Sequence, residues 1–213
     1  MLALRRRSGE EVRMTLPESQ RRRLYLGSAA LFGLIAAMFL VELAAGAVGD
    51  DGRLLALGAL PDSGGLDRQY WRLLAFGFLH SDGTHILLNS VLLLLAGPAL
   101  ERRAGARWVL IVFLAASVAS GVGILAKHAL WPSAGVSVGA SGGMFGLLAA
   151  ALLLVFRAGS GSLAVRAALV IELVAGLAYS LLPGVSMVGH VIGLAVGAAI
   201  ALFIPARSSI ESR

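Results

Sequence analysis

Apolar residues in this chain come in long blocks, not in the alternation of a half-buried strand or the spaced stripe of a surface helix. Six blocks lie near residues 24–48, 83–100, 107–126, 138–156, 165–182 and 185–204. They approach or exceed the ~20 mostly apolar residues that a bilayer-spanning helix needs. The second block is short, and the fifth is interrupted by Glu172. Segment 49–82 differs from its neighbours. It is richer in Gly, Asp and Pro yet keeps Leu residues, Tyr70, Trp71 and Phe78, so it reads as an outer loop lying partly on the membrane surface, where Trp and Tyr are favoured. With no internal repeat or low-complexity tract, the pattern predicts one bundle over 24–204 between a tail at 1–23 and a tail at 205–213.

Composition strengthens this reading. The chain is 58% hydrophobic and 14% charged, against about 45–50% and about 25% in soluble domains. The absence of cysteine excludes disulfides and thiolate sites. A net charge of +6 raises nucleic acid as a partner, but the placement of the basic residues points to topology instead. Arg5, Arg6, Arg7, Arg13, Arg21, Arg22 and Arg23 precede the first block. Arg102, Arg103, Arg107, Arg157, Arg166, Arg207 and Arg213 fall on alternate connections and the C-terminal end. Only Arg53, Arg68, Arg72 and Lys127 fall on the other side, so the bias of cytoplasmic loops toward Lys and Arg predicts that both termini are cytoplasmic. The N-terminal arginines are diluted by Glu10, Glu11 and Glu18 and lack interleaved aromatics, which argues against nucleic acid. The first block exceeds the ~7–15 apolar residues of a cleaved signal and is read as a retained span.

Against this background the stretch GVSVGASGGMFGLL, residues 135–148, places one hydroxyl where hydrocarbon is expected. The predicted topology starts spans two, four and six on the outer side. Ser141 then lies a few residues into span four, His190 a few residues into span six, and His80, His85 and Asn89 at the head of span two. All five fall at one depth. An unsatisfied polar group in a bilayer costs several kcal/mol, so such residues need partners or a function. A lone Ser in a helix bundle is ordinary packing. Gly139, Gly142, Gly143 and Gly146 around it, and Gly189, Gly193 and Gly197 beside His190, strip side chains from two helices that can then approach closely.

Five motifs occur in order between about residues 71 and 198: Trp71-Arg72; His80, His85 and Asn89; Glu101, Arg103 and Gly105; Gly139-Ala140-Ser141-Gly142; and His190 with Gly193 and Gly197. Together they resemble the rhomboid family of intramembrane serine proteases. The resemblance implies an all-α membrane protein with six transmembrane helices, in agreement with the block count. It implies a Ser141–His190 dyad with no third carboxylate, and an oxyanion hole built from His85, Asn89 and the Ser141 backbone N–H. His80 would order the site. Phe145 stands where many members carry a Tyr packed on the imidazole, and its ring is expected to stack there.

The chemistry fits these residue types. A Ser hydroxyl needs a base, and neutral imidazole suits that task near pH 7; His190 is the only histidine on span six. Arg72, Glu101 and Arg103 are expected to brace loops through ion pairs, and His128 to be interfacial. No metal or cofactor is expected. The substrates implied are transmembrane helices of other membrane proteins, entering past span five and cut near small or helix-breaking residues. The expected setting is a bacterial plasma membrane, with the lipid bilayer as the other partner. Two alternatives stand beside this reading: an inactive rhomboid-like binder of transmembrane helices, and a proton-coupled transporter using His85, His190, Glu42 and Glu172.

Overall fold

Most of the chain is helical because its apolar blocks must satisfy their own backbone groups, and short polar residues set where several helices begin. The computed structural model describes residues 25–63, 65–159 and 161–205; the arginine-bearing tails at 1–23 and 206–213 lie outside the described residues. Its elements are α1 (Leu26–Ala44), α2 (Asp51–Leu57), β1 (Leu60–Pro61), α3 (Arg72–Ala75), a 3-10 turn (Phe76–Phe78), α4 (Gly83–Ala104), α5 (Ala106–Leu130), β2 (Val136–Ser137), α6 (Ser141–Arg157), α7 (Leu163–Tyr179) and α8 (Met187–Phe203). Asp82 accepts the His85 amide at 2.9 Å, Ser162 the Val165 amide at 3.3 Å and Ser186 the Gly189 amide at 3.2 Å. These caps start α4, α7 and α8. The bond from the His85 amide also holds the Asp82 carboxyl below the usual carboxylate range.

Among the described residues three helices, α1, α4 and α5, are long and apolar enough to cross a membrane by length and composition; α6 and α8 are apolar but shorter. Leu34, Leu40, Leu87, Leu94, Ile171 and Phe203 are exposed around the bundle, an apolar exterior suited to lipid. Helix α6 is the centre of the core. It buries eleven of its seventeen residues, whereas α7, of equal length, buries only Leu169 and Glu172. The difference makes α7 the least anchored of the long helices.

Helices α6 and α8 meet backbone to backbone. A methyl group on Gly193 would collide with the carbonyl oxygen of Gly142, and one on Gly197 with that of Gly146. This is the close approach that small residues at four-residue spacing permit between apolar helices. Ser120 of α5 joins the seam by donating to the Gly189 carbonyl at 2.7 Å.

The loops are tied down by polar side chains, and among the described residues Glu101 and Arg72 act through hydrogen bonds and not through ion pairs. Glu101 accepts from the Gly27 and Ser28 amides, both at 2.8 Å, and from Ser28 Oγ at 2.6 Å. It thereby caps the first turn of α1 from another helix. Arg72 donates to the carbonyls of Leu55 and Ala59 and to the Gln69 side chain, and its guanidinium lies 4.9 Å from the Trp71 ring centre. Arg103 donates to the Ala99 carbonyl at 2.9 Å, and Gly105, at φ +95°, closes the α4–α5 turn.

Loop 49–82 holds more order than its composition suggested. Strand β1 pairs antiparallel with β2, Leu60 opposite Ser137 and Pro61 opposite Val136. Asp62 next to it accepts from Ser137 Oγ at 2.7 Å and meets His128 Nε2 at 3.2 Å. His128, at the α5 end, is buried within the protein, and its second nitrogen also meets Ser133 Oγ at 3.1 Å.

The α6–α8 seam predicts a contrast between two glycines. Gly197→Val should destabilise the protein by at least about 1–3 kcal/mol, the usual range for overpacking. Gly33→Ala on α1, where nothing lies within 4 Å, should be neutral or stabilise by up to about 1 kcal/mol through helix propensity. Thermal unfolding in detergent micelles compares the two.

Candidate active site

The seam places Ser141, the first residue of α6, against His190 in the first turn of α8. Ser141 Oγ lies 2.8 Å from His190 Nε2, hydrogen-bond distance. The imidazole is buried and held from two further directions. The Phe145 ring, one turn below Ser141, stacks on it with centres 4.3 Å apart and planes 16° from parallel. On its other edge, Nδ1 lies 2.6 Å from Ser180 Oγ, and Ser180 in turn donates to the Gly176 carbonyl at 2.7 Å. A hydroxyl has one proton. With that proton committed to Gly176, Ser180 accepts from His190 Nδ1–H, which leaves Nε2 free to accept from Ser141.

His85 faces the same spot from α4. Gly139 has φ +134°, a conformation that side chains rarely adopt. A carbon added there would stand 2.7 Å from His85 Nε2 and 3.6 Å from Ser141 Oγ. The missing side chain leaves a gap bordered by both groups. His85 Nδ1 meets Ser81 Oγ at 3.2 Å, which fixes the ring from behind. Asn89, one turn further along α4, is 2% exposed, and its amide nitrogen has no hydrogen-bond partner among the described residues. His80 is fully buried behind the site; its ring meets His85 edge to face at 5.1 Å, and its amide donates to Glu42 at 3.1 Å.

Helix α6 starts without a side-chain cap, so its first amides are free for an external acceptor. Gly142 lets Ser120 of α5 come close behind this turn. One cavity of about 920 Å³ adjoins this site, and its wall includes Ser141, His190, His85, Asn89 and Phe145.

The structure therefore brings together Ser141, His190, His85, Asn89, Phe145, Gly139 and Gly142. It sets Trp71, Arg72, Glu101, Arg103 and Gly105 apart as loop and helix-end struts, and Gly193 and Gly197 in the seam. Two residues were not assigned to this site from the sequence. Ser180 was legible as a polar residue at the outer end of span five, the depth shared by the other site groups. Glu172 was read as an interruption of that span and as a residue of the transporter alternative, not as part of the hydrolytic site, yet it lines the cavity, whereas Glu42 does not.

Comparison with known proteins points to one family. The Rhomboid domain family matches residues 67–207. Over 130 residues the chain is 35% identical to RHOMBOID-like protein 4 of Arabidopsis thaliana, covering 60% of this chain and 32% of that protein. It is 35% identical over 114 residues to rhomboid protease GluP of Bacillus subtilis (strain 168), covering 54% and 21%. It is 37% identical over 87 residues to Rhomboid-related protein 3 of Homo sapiens, covering 41% and 20%. The matched region is thus less than a third of each of these relatives. A domain match over most of the chain, on helices that carry the five motifs in order, makes this protein an integral membrane member of the rhomboid family.

Proposed function

We propose that this chain is an intramembrane serine endopeptidase that cuts peptide bonds in or near transmembrane segments of other membrane proteins. The observation that carries the reading is the 2.8 Å contact between Ser141 Oγ and His190 Nε2, within the reach a base needs to take the hydroxyl proton. In this reading Ser141 attacks the substrate carbonyl while His190 takes its proton. The charge that grows on the carbonyl oxygen meets the Ser141 amide and the side chains of His85 and Asn89. The tetrahedral intermediate collapses, His190 gives the proton to the departing amine, and water repeats the sequence on the acyl-enzyme. Ser180 holds the imidazole in the tautomer this requires, and Phe145 holds its plane. An inactive helix-binding relative would have no need of a paired hydroxyl and imidazole.

In the same reading α1 and α4–α8 are six membrane spans with both chain ends in the cytoplasm, supported by the distribution of Arg and Lys. Helix α6, at seventeen residues, is ~26 Å long, shorter than the ~30 Å hydrocarbon core. Ser141 at its outer end therefore lies below the membrane surface, in a cavity that water can reach from outside. Substrate helices reach it past the weakly anchored α7 and must unwind locally to present a carbonyl.

With the protein in liposomes and a fluorescent transmembrane reporter, Ser141→Ala and His190→Ala should each lower cleavage by roughly 10³-fold or more; a serine-directed phosphonate should label wild type at Ser141. Cleavage persisting in either variant would remove the mechanism. His85→Ala and Asn89→Ala should each cost roughly 10²–10³ in kcat, the effect of losing one oxyanion donor. Ser180→Ala should lower kcat by roughly 2- to 10-fold with KM unchanged, as expected for one neutral hydrogen bond, and Ser180→Thr should restore it.

A further inference from the structure

Glu172 is the one carboxylate on the inward face of α7, and the dyad makes no use of it. The residue is 8% exposed, and neither of its side-chain oxygens has a hydrogen-bond partner among the described residues. It lines the same cavity as Ser141 and His190. The only other residue that α7 buries is Leu169, so an acidic group occupies half of the buried face of a helix that otherwise points apolar side chains outward.

Its neighbours on that face fix its height. Ser180 touches the imidazole, and Gly176, four residues earlier, leaves room for the Phe145 ring, whose Cζ would stand 2.7 Å from a methyl group there. Glu172 is one turn further down, ~6 Å below Gly176 and ~12 Å below Ser180. The cation Lys127 also lines the cavity, but on the last turn of α5, at the end of the bundle where α6 begins.

A carboxylate buried in a membrane bundle without a partner is costly, and such a residue points to a function with a named partner. As an acceptor-only group when ionised, it is matched by N–H donors, most strongly by ammonium or guanidinium. We propose that Glu172 is a specificity residue that accepts hydrogen bonds from a cationic side chain, Lys or Arg, of the substrate segment lying between α4 and α7. This rests on the protease reading above. At ~3.3 Å per extended residue, and with the length of a Lys or Arg side chain, the partner lies about two to four residues from the scissile bond on the membrane-buried side.

The test uses the full-length protein in liposomes and reporter helices that differ only at those positions, bearing Lys, Arg, Leu or Glu. Wild type should cleave the Lys and Arg reporters roughly 10- to 100-fold faster in kcat/KM than the Leu reporter at one of the positions, the effect of one charge-assisted bond. Glu172→Leu should abolish that preference and leave the Leu reporter within about threefold of wild type. Glu172→Lys should turn the preference toward the Glu reporter. Phosphonate labelling of Ser141 reports whether each variant is folded, and Glu172→Gln, which keeps the shape, should lose the preference for cations if Glu172→Leu is not labelled. Equal cleavage of Lys and Leu reporters by wild type at every position, or an equal loss on both in a labelled Glu172 variant, would overturn the assignment and leave the protease reading intact. If Ser141→Ala cleaves as wild type does, it is the protease reading that fails.

Discussion

Direct backbone contact between α6 and α8 sets the distance between Ser141 and His190, on which the rest of the site depends. Without Cβ atoms on Gly193 and Gly197, the carbonyls of Gly142 and Gly146 sit against the facing helix, and the two chains approach more closely than any pair of larger residues allows. Ser141 and His190 are carried on the outer turns of these helices. Their contact follows from the seam. Burial of α6 on most of its circumference then keeps the seam from sliding, since a shift would displace Met144, Leu147, Leu148 and Ala151 from the core together.

Around that seam the polar groups form a chain with one direction. Gly176 accepts from Ser180, Ser180 from His190, and His190 from Ser141. Each link determines the next because each hydroxyl has one proton to give. The struts further out act in the same economical way. Glu101 serves the amides that open α1, Arg72 collects carbonyls from the loop, and Asp62 gathers Ser137 and His128 across the β1–β2 pair. The backbone that enters and leaves the site is thereby held from three sides without a buried ion pair at Arg72 or Glu101.

The helices and the principal pair were legible in the sequence because they are written in local patterns. Long apolar blocks mark helices, four-residue glycine spacing marks a contact face, and Ser141 and His190 each sit beside such a face. Helix ends were less legible: α6 begins at Ser141 itself, where the apolar run suggested a start near 138. The role of Glu101 was misread because a charged residue near arginines suggests ion pairs, whereas its partners are amides 73 and 74 positions away. The β1–β2 pair is two residues long on each side, too short to leave a periodic signal. Ser180 and Glu172 depend on the rotation of α7 about its axis, which a helix that is apolar nearly all round does not specify.

The placement of Ser180 has a consequence for timing. The hydroxyl that orients the imidazole caps α7, the long helix with the fewest buried residues. Any outward swing of that helix stretches the link to Nδ1 and frees the ring to take the other tautomer. If the proposed protease admits its substrate this way, a parted bundle would be disarmed until the wall closes behind the guest. On the protease reading, the movement that grants admission would also suspend the chemistry, which gives the fold the logic of a safety catch.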